Sequence, residues 1–166
     1  MTFITVALNA GHRKDAFVCG KPMLDNYIQR QARQDIKRML SACFVLEAEN
    51  GFIKGYYTLS SASVASELLP EELKKRLPPS YTDLPVILLG RLAISAEYQR
   101  QGLGEVLLVD ALKRSYYTSK TVGSIAVVVD PLDPDAVHFY QHYGFVSLHD
   151  SGRMFLSMGT IAQLFE

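Results

Sequence analysis

Leu24, Ile28, Ala32, Ile36, Met39 and Leu40 recur at three- and four-residue intervals, while Arg30, Arg33 and Lys37 fall about 160° away at 100° per residue. That spacing predicts an amphipathic helix over residues 23–38 with a basic back. Ser41–Ala48 and Phe52–Ala62 read as strands, and Glu49-Asn50-Gly51 between them is a hairpin signal because Asn and Gly accept the positive φ of a tight turn. From Leu68 to Pro85, four prolines punctuate a short helical pattern around Glu71–Leu77, which reads as an excursion within the domain. Val86–Ile94 is apolar at nearly every position, as expected of a strand covered on both faces. Gly102–Tyr117 then carries Leu103, Val106, Leu107, Asp110, Ala111 and Arg114 at helical spacing, and Ser124–Asp130 is a second apolar strand. A strand, a crossover of helical length and a strand imply a parallel pair with a right-handed connection. Asp133-Pro134-Asp135 opens another helix as N-cap, preorganised first residue and acidic first turn, and Gly144 closes it after about ten residues. Phe145–Leu148 and Met154–Met158 are the expected closing strands. The class is α/β (α+β) with a mixed sheet.

The 166 residues suit one domain, 1–166, and the 48% apolar and 20% charged composition excludes a disordered or fibrous chain. Net charge is zero, so the chain as a whole is not a basic nucleic-acid binder. The balance hides an asymmetry: residues 1–40 carry net +4 and the remainder −4. Cys19 and Cys43 form no CxxC pair, and there is neither a long apolar run nor a charged-then-apolar leader. The expectation is a reducing cytoplasm, no membrane association and structural cysteines.

Candidate chemistry concentrates after the Val86–Ile94 strand, in Ser95-Ala96-Glu97-Tyr98-Gln99-Arg100-Gln101-Gly102-Leu103-Gly104 leading into a helix. A strand, a glycine-containing turn and a helix N-terminus present unpaired N–H groups and a positive dipole end, which is how backbone holds phosphate. The same pattern also serves as a tight turn packing a helix on a sheet. It lacks the Gly-Lys-Ser/Thr ending of a nucleotide P-loop and the GxGxxG dinucleotide fingerprint. His138 and His142 stand at i, i+4, but no third residue has ligand spacing, so no metal site is expected.

Gln99-Arg100-Gln101-Gly102-Leu103-Gly104 resembles the Gln/Arg-x-x-Gly-x-Gly/Ala pyrophosphate loop of the GNAT superfamily of acetyl-CoA-dependent N-acetyltransferases. His138-Phe139-Tyr140-Gln141-His142-Tyr143-Gly144-Phe145 resembles that superfamily's Phe-Tyr-x-x-x-Gly-Phe signature, in the order the superfamily has. The resemblance implies a GNAT fold: a mixed, mostly antiparallel central sheet with flanking helices and a parallel β4–β5 pair, Val86–Ile94 with Ser124–Asp130. It implies acetyl-CoA as acetyl donor, held by Leu92, Ala93 and Ile94 along the pantetheine arm and by the amides of Gln99, Arg100, Gln101, Gly102, Leu103 and Gly104 at the pyrophosphate. Tyr140 becomes the acid that protonates the departing thiolate; the alternative is a core aromatic of its helix. Asp133 stands where many members have an Asn that contacts CoA, and a plain helix cap is the favoured reading. No carboxylate or histidine in these segments announces itself as a general base. An amine of low basicity suits such a site, since an α-amine near 7.7–8.0 is substantially neutral at physiological pH where a lysine is not. A water relay from Glu97 is the alternative.

Phe17-Val18-Cys19-Gly20, Leu24-Asp25-Asn26-Tyr27-Ile28, Gly55-Tyr56-Tyr57-Thr58-Leu59-Ser60 and Pro85 to Ile94 extend the resemblance to one branch, the TacT/AtaT-type GNAT toxins of type II toxin–antitoxin modules. That branch implies acetylation of the α-amine of aminoacyl-tRNA, which blocks translation. It also implies a ribbon-helix-helix antitoxin, a homodimer, and contact with promoter DNA only through the antitoxin complex. Arg30, Arg33, Lys37 and Arg38 would then meet the tRNA backbone, unless they are plain solvated surface. Arg91, a charge in an apolar strand, is either paired within the fold or placed to meet phosphate or an acidic antitoxin residue. The competing class is a small-molecule N-acetyltransferase acting on an antibiotic or a polyamine, for which an acidic substrate pocket is expected.

Overall fold

The computed structural model describes residues 2–149 and 151–166. The strands among them are β1 Val6–Ala7, β2 Ala42–Glu47, β3 Ile53–Ala65, β4 Asp83–Ile94, β5 Ala126–Val129, β6 Val146–Ser147 and β7 Met154–Ser157. They form one sheet in the order β1-β2-β3-β4-β5-β7-β6, with β4 and β5 the parallel pair. The β1–β2, β2–β3, β5–β7 and β6–β7 pairs are antiparallel. This is the mixed, mostly antiparallel α/β architecture that the hydrophobic pattern and the GNAT resemblance imply. The residues group into two compact units, taken in turn.

The first unit comprises residues 2–60 and Leu89–Arg114. Its helical path runs through α1 Pro22–Asn26, a π-helical turn Tyr27–Gln31 and α2 Ala32–Lys37. Four-residue spacing of Leu24, Ile28, Ala32 and Ile36 overshoots a 3.6-residue turn by about 40° per step, and the wider π turn takes up part of that drift. All four therefore face one cluster, with Phe17, Cys19, Tyr27, Cys43, Val45, Tyr56 and Ala93. The predicted stripe fails at its end: Met39 is 91% and Leu40 62% exposed. The helix has already closed there, with Leu40 N–H bonded to Asp35 O at 2.9 Å, Met39 N–H to Ile36 O at 3.1 Å, and Met39 in the left-handed region at φ 61. The β2–β3 hairpin turns through Asn50 (φ 59) and Gly51 (φ 80), with a bulge between Leu46 and Glu47. Helix α4, Leu103–Ser119, carries buried Asp110, which accepts from Ile4 N–H (2.9 Å), Thr5 Oγ1 (2.5 Å) and Tyr57 OH (2.7 Å). Arg114 one turn on donates to Tyr57 OH and Thr5 O, so a buried charge is satisfied by groups far apart in sequence.

The second unit comprises Ser61–Leu88 and Ser115–Glu166. All four residues of β5 are buried, which explains its unbroken apolar run. Val64, Leu69, Leu84, Val86, Ala126, Val128, Leu148 and Phe155 form its core. The proline-punctuated excursion is a 3-10 turn at Ser66–Leu68 and a four-residue α3, Glu71–Lys74, pinched at its base by Ser66 N–H to Thr82 O at 2.9 Å. Helix α5 spans Pro134–His142 and is capped by Asp133, whose Oδ1 accepts from Ala136 N–H at 2.9 Å. A final helix α6, Met158–Ala162, follows β7 directly. No helix is long and apolar enough to cross a membrane among the described residues.

Candidate active site

Strand β4 ends at Ile94, a 3-10 turn follows at Ala96–Tyr98, and α4 starts at Leu103. The intervening loop is fastened from inside. Ser95 N–H reaches Lys54 O at 2.8 Å, Ala96 N–H reaches Val18 O at 2.7 Å, and the Gln99 side-chain amide spans Ile94 O (2.9 Å) and Cys19 O (2.8 Å). Gln99 N–H itself closes the 3-10 turn on Ala96 O at 3.4 Å, so Gln99, though exposed, holds the loop through both its backbone and its side chain. Beyond it Arg100 (φ 64) and Gly102 (φ 79) are both left-handed and both exposed. Left-handed residues within a turn tilt successive N–H groups toward one side, forming a concavity suited to anion oxygens. The first-turn amides of α4 have no intrahelical acceptor, and the positive end of a 17-residue helix stands behind them. These backbone groups fit a pyrophosphate. The adjoining strand segment has Ala93 buried and Leu92 and Ile94 half-buried. Gly55 of β3 lies against it: a Cβ there would sit 2.8 Å from Ala93 O, from Ile94 Cδ1 and from Leu107 Cδ1. Only glycine permits that approach.

Arg91, three residues before the strand end, stands over the Tyr27 ring with its guanidinium carbon 3.5 Å from the centroid. That ring is one partner of the charge within the fold, and it engages a face of the guanidinium rather than accepting a hydrogen bond from it. Tyr27 OH donates to Asp35 Oδ2 at 2.9 Å, and burial followed by that bond pushes its pKa up to about 12. Arg30, Arg33, Lys37 and Arg38 are all exposed, and among the described residues none has an ion-pair partner. Arg33 and Lys37 line a cavity of about 350 Å³ with Leu8, Asn9, Gln34 and Ile36.

Tyr140 belongs to the second unit, buried near the end of α5 against Phe139 and Phe145, both at 5.2 Å between centroids. Its hydroxyl has no hydrogen-bond partner among the described residues, and burial raises its pKa well above the ordinary phenol value. The turn after α5 folds back on it, with Tyr143 and Phe145 N–H both donating to Tyr140 O at 3.1 Å. His138 and His142 are exposed, and no group of three His, Cys, Asp or Glu side chains among the described residues is placed to hold a metal. In the first unit, Glu97 of the Ala96–Tyr98 turn lines a cavity of about 750 Å³ with Glu47, Glu49, Asn50, Lys54 and Tyr98. Sequence reasoning left out Gly55 as a packing position, Tyr27 as the partner of Arg91, and the Gln99 anchor. Only the Gly55-Tyr56-Tyr57 and Leu24-to-Ile28 segments hinted at the first two.

A left-handed, glycine-containing loop at the head of α4, beside the β4 end of a mixed sheet with a parallel β4–β5 pair, is the arrangement that the acyltransferase resemblance implies. Residues 40–147 match the acetyltransferase (GNAT) domain, and the chain belongs to that family. It is 36% identical over 130 residues to a tRNA-acetylating toxin of Mycobacterium tuberculosis, covering 78% of this chain and 76% of that protein. It is 29% identical over 162 residues to a probable toxin TacT of Sinorhizobium fredii, covering 92% and 89%. Among solved structures it is similar to a tyrosine-to-phenylalanine mutant of KacT (TM-score 0.91, 27% identity, 99% of this chain and 100% of that one). It is also similar to AtaT complexed with acetyl-methionyl-tRNAfMet (TM-score 0.89, 25% identity, 99% and 100%). The KacTA–DNA complex contains a further similar chain (TM-score 0.80, 27% identity, 99% and 97%).

Proposed function

We propose that this chain is the toxin of a type II toxin–antitoxin module, an acetyl-CoA-dependent N-acetyltransferase that acetylates the α-amine of aminoacyl-tRNA and stops translation. The observation that carries the reading is the likeness to a tRNA-acetylating toxin over 78% of this chain. The exposed, ion-pair-free basic residues Arg30, Arg33, Lys37 and Arg38 support it, since a chain of zero net charge needs a local patch to meet a polyanion. When bound, acetyl-CoA supplies an activated acetyl group and a thiol leaving group. Leu92, Ala93 and Ile94 hold the pantetheine arm through strand backbone, and the amides from Arg100 to Gly104 hold the pyrophosphate, with Gln99 bracing the loop. The acceptor nitrogen bonds to the acetyl carbon, the C–S bond breaks, Tyr140 gives its proton to the sulfur, and the proton that the nitrogen sheds on becoming an amide restores the phenol, directly or through solvent. Tyr140 suits that task because burial keeps the phenol protonated throughout the neutral range. An α-amine, with a reference pKa near 7.7–8.0, needs little help from a base. A ribbon-helix-helix antitoxin, promoter contact through the toxin–antitoxin complex, a homodimer and a cytoplasmic location complete the reading.

One observation favours a second reading, a small-molecule amine acetyltransferase: the cavity of about 750 Å³ carries Glu47, Glu49 and Glu97 against the single Lys54, a lining suited to a polycation. The two are separated by offering labelled acetyl-CoA with either bulk charged tRNA or spermidine. Label on charged tRNA, and none on uncharged tRNA, supports the toxin. Label on spermidine alone overturns it.

A further inference from the structure

Resting on the reading of this chain as a tRNA-directed acetyltransferase, we propose that Arg91 receives the phosphate of the acceptor's 3′-terminal nucleotide. Tyr27, set on the π-helical turn, is the positioning residue that holds Arg91 ready.

Arg91 immediately precedes Leu92-Ala93-Ile94, so at about 3.3 Å per residue its Cα lies within roughly 10 Å of the end of the strand segment that fits the acetyl-bearing arm. The nearest anion to the reacting amine of an aminoacyl ester is the phosphate of the nucleotide that bears it. An arginine on this strand is within reach of both. The guanidinium carbon stands over the Tyr27 ring, 3.5 Å from its centroid, a contact that uses the cation's charge and takes up none of its N–H donors by a hydrogen bond. Arg91 is half-buried, and among the described residues it has no carboxylate within ion-pair distance and no hydrogen-bond acceptor. None of its nitrogens is a buried donor left without a partner, so the N–H groups that no protein acceptor takes face solvent and are open to an acceptor arriving from outside. Phosphate matches the planar fork bidentately.

The platform beneath is buried and hydrogen-bonded. Tyr27 is 3% exposed, its hydroxyl is committed to Asp35 at 2.9 Å, and its ring stacks on Tyr56 at 6.4 Å and 14°. Tyr56 OH in turn donates to Leu24 O at 2.6 Å. The π turn Tyr27–Gln31 begins at the stacking residue, and such turns re-aim side chains at working sites.

The test compares acceptors with and without the phosphate: 3′-aminoacyl-adenosine against the aminoacyl-CpA dinucleotide, with full charged tRNA as reference. Wild type prefers the dinucleotide by about tenfold in kcat/KM, the effect of one charge-assisted hydrogen bond. Arg91→Gln abolishes that preference with the KM for acetyl-CoA unchanged, and lowers the slope of log(kcat/KM) on log salt by about 0.7 with charged tRNA. Arg91→Lys restores part of the preference. Tyr27→Leu loses it through a raised acceptor KM, whereas Tyr27→Phe keeps the ring and most of the preference. Thermal unfolding of each variant, and the conservative pair Arg91→Lys and Tyr27→Phe, separate these effects from misfolding. Activity on charged tRNA by wild type, with Arg91→Gln retaining the phosphate preference or losing both acceptors equally, overturns the inference alone. Wild type inactive on charged tRNA overturns the functional reading and this inference with it.

Discussion

Gly55→Ala places a methyl group 2.8 Å from one backbone oxygen, Ala93 O, and from two side-chain carbons, Ile94 Cδ1 and Leu107 Cδ1. Comfortable carbon contacts lie near 3.5–4.0 Å, so β3, β4 and α4 must yield by several tenths of an ångström or more. The two side-chain ends turn aside at modest cost. The carbonyl moves only with the strand. Overpacking of this kind costs about 1–3 kcal/mol, which for a chain of this length lowers the Tm by roughly 2–12 °C. The displaced backbone is Ala93–Ile94, the segment proposed to hold the pantetheine arm, so acetyl-CoA affinity measured calorimetrically falls about tenfold for each 1.4 kcal/mol of distortion passed to the site. Gly159→Ala in α6 is the control, because its added Cβ meets nothing within 4 Å. There the same substitution gains up to about 1 kcal/mol from helix propensity. A Gly55→Ala protein that melts within about 1 °C of wild type, and binds acetyl-CoA equally well, refutes the packing argument.

Three further outcomes follow from the geometry. Met39→Gly relieves a left-handed residue that is 91% exposed and contributes no packing, raising stability by about 1 kcal/mol and the Tm by roughly 2–4 °C; an unchanged or lower Tm counts against it. Tyr140→Phe lowers kcat by about 10²–10⁴ while acetyl-CoA binding, read by calorimetry, stays the same; full activity removes Tyr140 from the chemistry. Burial raises Cys19 from an ordinary 9.0 to about 11, Cys43 from 9.0 to about 12 and Tyr27 from 10.0 to about 12. The folded state then keeps protons that the unfolded state releases, so this stability is complete below about pH 9 and is lost as pH rises through 12. Denaturant midpoints measured between pH 8 and 11 should fall, and a flat profile contradicts the assignment.

What the chain discloses by pattern is local. The β2–β3 hairpin, the β4–α4–β5 unit and the Asp133 cap follow from periodicity and turn chemistry acting over a few residues, and they appear where expected. Met39 and Leu40 leave the stripe because the helix closes on a left-handed residue, a change of direction that no apolar spacing announces. β1 is two residues long with both side chains exposed, too short for alternation to register. Contacts that join distant residues were the least legible. Asp110 meets Thr5, Gln99 meets Cys19 and Arg91 meets Tyr27 only once the sheet has brought them together. Arg91 shows the difficulty well, since its cost of burial was readable from its apolar neighbours but its aromatic partner was not.

The position of the transferred acetyl group is the most direct test of the proposed activity. Charged tRNA is incubated with this protein and labelled acetyl-CoA, digested with nuclease, and its 3′-terminal fragments are analysed by mass spectrometry. Acetyl on the α-amine of the aminoacyl-adenosine fragment, lost with Tyr140→Phe, is the predicted result. Acetyl on the nucleobases, or none on the fragment from protein that binds acetyl-CoA, contradicts it.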